Sequence, residues 1–167
     1  MNVYVKGALL TAVVAVSGAT SARAQNTDND LINVTALVET ALDVQGVQDL
    51  GFGPVFPGIA RTINATDAGS GEFLIAGGNS GGVDIAFTLP ATLSDGVNTM
   101  PVSFTAAAGA DRTSAAAFDP TATHQGTLNG TTGDLRVYLG GTVTPAATQA
   151  AGGYTATATL TATYNGL

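Results

Sequence analysis

An antiparallel all-β sandwich is the fold class that this chain predicts, on three observations. Several segments alternate apolar and polar residues with a period of two, which puts one set of side chains on each face of a pleated strand. Turn signals built on glycine and asparagine recur at short intervals, drawn from 22 glycines in 167 residues. No periodic helix interrupts the series, so seven or eight short strands have only each other to pack against.

The last element is the clearest. Tyr154 to Tyr164 reads Y-T-A-T-A-T-L-T-A-T-Y, so Tyr154, Ala156, Ala158, Leu160, Ala162 and Tyr164 share one face and threonines hold the other. β-Branched threonine suits the exposed side of a sheet, and small alanines let a facing sheet approach closely. No charge occurs from Tyr154 to Leu167. Exposed edges are normally blunted by lysine, proline or charge, so this strand predicts a paired edge, within the fold or with a neighbour.

In chain order, the first alternation places Ile32, Val34, Ala36, Val38, Leu42 and Val44 at even positions and Asn33, Thr35, Glu39 and Asp43 at odd ones. It outlasts an ordinary strand. It reads either as one long edge strand over 31–45, or as an extension over 31–37 followed by a first core strand over 38–45. Leu50-Gly51-Phe52-Gly53-Pro54 then turns the chain, and 59–65 is a weak strand. Glu72 to Ala76 is joined by the glycine-rich 77–82 connection to Val83, Ile85, Phe87 and Leu89, which alternate cleanly. Asp95-Gly96 marks a turn before Met100, Val102, Phe104 and Ala106. Residues 107–125 have no period and read as a loop with at most a helical turn at 114–118. Asn129-Gly130 and Gly133-Asp134 bracket turns before Leu135, Val137 and Leu139, and Gly140-Gly141 predicts a kink leading into Val143.

The amino terminus carries a targeting signal. Lys6 precedes the apolar run Ala8 to Val16, small and polar residues follow, and Ala22-Arg23-Ala24 forms an A-x-A cleavage site between Ala24 and Gln25. The apolar run is far shorter than the roughly 20 residues of a spanning helix, so no stable membrane insertion is expected. The organisation is therefore a signal peptide over 1–24 and a single sandwich domain over 25–167, exported to the periplasm, cell surface or medium.

Beyond Gln25 three arginines face twelve carboxylates, a net charge of −9, and there is no lysine. Phosphate neutralisation needs clustered cations, so nucleic acid is excluded as a partner and anionic membrane surfaces are disfavoured. The absence of cysteine excludes disulfides and thiolate chemistry. His124 is the sole histidine, which rules out a multi-histidine zinc site; a carboxylate site that includes it stays open beside the stronger reading of a solvated loop residue. Ser103 and Ser114 lack a G-x-S-x-G context. Glu39 and Glu72 are the remaining candidates for paired-carboxylate chemistry, and nothing around Glu39 signals a cleft. The aspartates mostly neighbour Gly, Asn or Thr, where they cap turn amides. No catalytic residue, metal ligand or cofactor is predicted.

The signal sequence, Asn33-Val-Thr-Ala-Leu-Val38, the Asp49-Leu-Gly-Phe-Gly53 turn and the closing Gly153 to Tyr164 segment together resemble a secreted β-sandwich family of unknown function in Gram-negative bacteria. That family is related to spore coat protein U and, through it, to the subunits of archaic chaperone-usher pili. The resemblance implies an immunoglobulin-like, Greek-key, pilin-like sandwich that lacks a strand and is completed by an alternating extension from the next subunit. It nominates Ile32, Val34, Ala36 and Val38 as donor side chains and the inward face of Tyr154 to Tyr164 as part of the acceptor. Its implied partners are further copies or related subunits, a periplasmic chaperone bound at the terminal strand and an outer-membrane usher. The function expected is that of a non-enzymatic structural subunit of a surface appendage or coat. The alternative is a monomeric secreted binding or adhesion module with a complete sandwich and its contact surface on 107–127.

Overall fold

The computed structural model of the chain describes residues 28–36, 38 and 40–166. The signal peptide over 1–24 and its Ala24/Gln25 cleavage site lie outside the described residues, as do Leu37 and Glu39. The chain divides into two units, Met1–Ala36 and Leu37–Leu167. In the first, residues 28–36 form no strand and are exposed throughout.

The second unit is all-β, with no helix among the described residues and two antiparallel sheets. Ten strands follow one another: β1 (Asp43–Gln48), β2 (Arg61–Ile63), β3 (Gly71–Ala76), β4 (Gly82–Thr88), β5 (Thr92–Ser94), β6 (Thr99–Gly109), β7 (Ala116–Phe118), β8 (His124–Thr127), β9 (Asp134–Val143) and β10 (Thr159–Tyr164). The seven-stranded sheet runs β1-β3-β9-β6-β5, with β2 on β9 and β7 on β6; the three-stranded sheet runs β10-β4-β8.

Alternation places the core. Ile75 of β3, Val83 and Ile85 of β4, Leu135 and Val137 of β9, and Leu160 of β10 close on Leu128 between the two sheets, all buried. Phe73, Phe87, Phe118, Ala162 and Tyr164 pack around them. On the outer face of the larger sheet a second cluster forms, because the 109–116 connection folds over it. There Tyr138, Ala107 and Ala65 are buried. Arg112 lies 4.6 Å over the Tyr138 ring, donates to Asp67 O at 3.0 Å and to Ser70 Oγ, and pairs with Glu72 at 2.8 Å. Arg136 also pairs with Glu72, and this contact raises the arginine's pKa further. Glu72 is thus a structural counter-ion for two guanidinium groups.

Four expectations are corrected by the ladders. The first strand begins at Asp43 rather than 38: its ladder opens at Asp43↔Ala76, the last residue of β3, and Gly77 N turns instead to Gly133 O. The 107–125 stretch is not a loop: β6 continues to Gly109, β7 pairs with its Ala106–Ala108 stretch, and β8 pairs with β4. Residues 116–118 are strand, not helical turn. Gly140 and Gly141 do not break β9, which stays in register with β6 from Val102↔Val143 to Gly109↔Arg136. They are small because Asn64–Ala65 crosses against Gly140, and Phe52 Cζ would sit 3.4 Å from a Cβ at Gly141.

Several connections are fastened by aspartate. Asp95 Oδ1 accepts from the backbone of Val97 (2.9 Å) and Asn98 (2.6 Å) in the β5–β6 turn. Asp111 Oδ1 accepts from Thr113 and Ser114 after β6. These bonds favour the ionised form, so both pKa values fall from 3.8 to about 2, with the Asn98 side chain the main cause at Asp95 and the Thr113 hydroxyl at Asp111. A pKa depressed on folding adds stability that is complete above 3.8 and is lost as pH falls through 2. Carboxyl NMR titration of the folded protein should give midpoints near 2 for both residues; midpoints near 3.8 would show that the turn amides do not hold the carboxylates.

Candidate assembly groove

The smaller sheet does not cover the inner face of the larger one. β10 pairs with β4 only from Thr159↔Thr88 to Tyr164↔Val83. After Thr88 the chain meets Pro90, which has no N–H to offer a ladder, so residues 154–158 run on without a strand partner apart from the bridge Thr155↔Ser94. The predicted eleven-residue strand is thus a paired strand over 159–164, preceded by a largely unladdered segment. Among the described residues β10 ends its sheet and β1 ends the other.

These two sheet edges meet at one end of the sandwich and diverge toward the other. Where they meet, the Tyr164 hydroxyl donates to Thr40 O at 2.7 Å and accepts from Gly78 N at 2.6 Å. Gly81 makes room for the ring, since a Cβ there would stand 2.8 Å from Tyr164 Cε1. Where they diverge, a groove of about 870 Å3 opens between residues 46–57 and 149–158. Its floor is the uncovered inner face: Phe73 of β3, Leu93 of β5, Met100 and Phe104 of β6, and Leu139 and Val143 of β9. Pro54, Pro57, Pro90 and Pro145 are among its lining residues. Asp49 is the only charged residue in the lining, so the groove offers no cationic side chain to an anionic occupant and an apolar floor to an apolar one.

The nominated acceptor residues divide between the two ends. Tyr154, Ala156 and Ala158 line the groove, whereas Leu160, Ala162 and Tyr164 belong to the closed core. Tyr154 is fixed by its hydroxyl, which accepts from Gln149 Nε2 at 2.7 Å and donates to Ala150 O at 2.9 Å. The nominated donor residues form no strand: Ile32 and Val34 are 84% and 87% exposed and Val38 93%, with Ala36 also exposed. Phe52, Met100, Phe104, Leu139 and Val143 stood out in the sequence as turn or strand residues but not as a site, and Phe73 and Leu93 were not singled out.

The other chemical candidates do not converge. His124 is strand rather than loop, stacked on Phe118 with ring centroids 4.0 Å apart and planes at 13°. It sits in the smaller sheet, while Ser103 lies on β6 of the larger one beside Thr142. Ser114 serves the Asp111 turn. Glu72 is held between two arginines. Among the described residues no three metal-ligating side chains cluster, and no helix is long and apolar enough to cross a membrane.

Comparison of the sequence with protein-family models finds no match, and comparison with curated proteins finds none either.

Tyr164→Phe removes the acceptor of Gly78 N–H, a part-buried contact, and the donor to Thr40 O, an exposed one; a part-buried group left without its partner costs about 1 kcal/mol or more. Denaturant unfolding should show a loss of roughly 1–3 kcal/mol, and limited proteolysis should cut faster near residue 40. Unchanged stability and cleavage would mean that the tyrosine does not hold the two edges together.

Proposed function

We propose that this chain is an exported, non-enzymatic structural subunit that assembles by strand donation, with residues 31–38 of one copy filling the groove of the next. One observation carries the reading: an uncovered apolar floor beside an unladdered edge and an exposed, alternating apolar segment occur in the same chain. The segment is long enough for the groove: Ile32 to Val38 spans six residue steps, roughly 20 Å in extended conformation, and the lining stretch Tyr154 to Ala158 spans four, roughly 13 Å.

Polarity also supports assembly between copies. β1 runs from the Tyr164 end toward the Tyr154 end, and the chain enters this unit beside Thr40 at the Tyr164 end. The groove opens at the Tyr154 end, ten residue steps or roughly 33 Å away along extended chain. An arm rooted at one end and a groove at the other make a head-to-tail, heterologous contact, which propagates into a ring or an open filament instead of closing a two-fold dimer. In that arrangement Val38 takes the outermost groove position and Ile32 the innermost, antiparallel to 154–158, and alternate side chains reach the floor while backbone groups pair with the free edge. Before assembly the groove would need a cover; a periplasmic chaperone and an outer-membrane usher are the partners implied by the family resemblance.

Val34→Asp or Val38→Asp would place a carboxylate against Phe, Met and Leu side chains, a burial costing several kcal/mol. The mature chain from Gln25 should give boiling-sensitive ladders on a denaturing gel, and a truncation beginning at Leu37 or either aspartate variant should give monomer with the fold retained. Ladders in the variants, or monomer in every sample, would refute strand donation; the second result would favour a self-contained binding module.

A further inference from the structure

Beside the groove, the connection into β2 exposes two large apolar side chains, Phe56 at 66% and Ile59 at 62%. Together with Pro54, Val55, Ala60 and Arg61 they line a shallow dent of about 90 Å3. Pro54 and Val55 line the groove as well, so the dent and the groove are one continuous surface. The connection is tied down. Gly58 N donates to Ala146 O at 3.0 Å and Ile59 N to Phe56 O at 3.1 Å. Gly58 adopts φ 74° against Ala147, whose Cα would lie 3.5 Å from a Cβ at this position. Phe56 and Ile59 are therefore displayed on a pinned turn.

Arg61 differs from the other two described arginines. Arg112 and Arg136 both pair with Glu72, whereas Arg61 is exposed and makes no ion pair or side-chain hydrogen bond among the described residues. The chain beyond Gln25 carries a net charge of −9, so copies repel one another as they approach. One unpaired cation at the groove end is where that repulsion is relieved.

We infer that the Phe56–Ile59–Arg61 surface docks the root of the next copy's arm, with Arg61 facing the carboxylates of Glu39 and Asp43. The inference rests on the strand-donation reading and adds to it a contact outside the groove. With Val38 in the outermost position, the donor chain leaves the groove where this surface lies. Glu39 is the next residue, and Asp43, exposed at the start of β1, follows within five residue steps, roughly 17 Å. The occupant is thus a second copy, matched in charge to Arg61. A rim contact of this kind acts on the rate of association more than on the final affinity.

The test follows polymerisation of the mature chain by light scattering at low salt and in 1 M salt, where charges are screened beyond about 3 Å. At low salt Arg61→Glu should slow assembly about tenfold, with the difference closing at 1 M. Adding Glu39→Arg and Asp43→Arg to that variant should restore the rate. Phe56→Ser should slow assembly at both salt concentrations. A normal low-salt rate for Arg61→Glu, or no rescue by the reciprocal changes, overturns the docking surface while wild-type polymer leaves strand donation standing. Absence of wild-type polymer removes both.

Discussion

Everything distinctive about this molecule depends on an inequality between its two sheets. Seven strands present a continuous apolar inner face, and three strands are available to cover it. Burial of apolar surface is the main force that holds a sandwich together, and here it is completed only at the Tyr164 end, where Ile75, Leu135, Val137 and Leu160 are sealed. At the other end the same face continues through Phe104 and Val143 with no strand above it. Such an exposed floor beside an open edge is a liability for a solitary protein and an asset for one that is completed by another chain.

The two ends of the sandwich are built from different residues for this reason. At the closed end, glycines allow close approach: Gly126 lies under Leu135 and Ile85, and Gly81 lies against the Tyr164 ring. Tyr164 then joins the first residues of the unit to the last. At the open end the walls are proline-rich and fastened locally, by Gly58 to Ala146 and by Gln149 to Tyr154 and Thr99. The groove walls therefore hold their shape without a central occupant, which lowers the ordering cost when one binds. On the opposite face of the larger sheet, Glu72 with its two arginines and Ser70 ties the 109–116 connection down; Gln48, whose Nε2 donates to Ala68 O and Ser70 O, links this clip to the groove wall.

Much of the fold was legible in the sequence because period-two alternation reports a half-buried face. Val83-Ile85-Phe87, Met100-Val102-Phe104 and Leu135-Val137-Leu139 each announced a strand that exists. The signal failed where both faces are covered. Ala106 and Ala107 are adjacent and both buried, one between the sheets and the other under Tyr138, so the alternation vanishes and a strand read as a loop. β5 and β7, at three residues each, are too short to carry a period. Strand limits failed for a related reason, because alternation states what a segment is suited to pair with and not whether a partner is there: residues 31–42 and 154–158 alternate well, yet the ladders stop at Asp43 and Thr159. Of the candidate site, the edge was legible in the uncharged terminal segment, while the floor was not, since an inward residue looks the same whether or not a sheet lies above it. Arg61 could not be singled out either, because the partners of Arg112 and Arg136 lie 40 and 64 residues away in sequence.

The most direct measurement uses a chain whose arm is disabled by Val34→Asp and Val38→Asp, so that its groove stays open, together with a synthetic peptide spanning residues 29–39 of the natural sequence. Amide hydrogen exchange is followed across 156–158 with and without the peptide. If the groove is an acceptor for this segment, these amides exchange rapidly in the free chain and become protected when the peptide is added. Protection already complete without peptide, or exchange unaltered at saturating peptide, would contradict a strand-accepting groove.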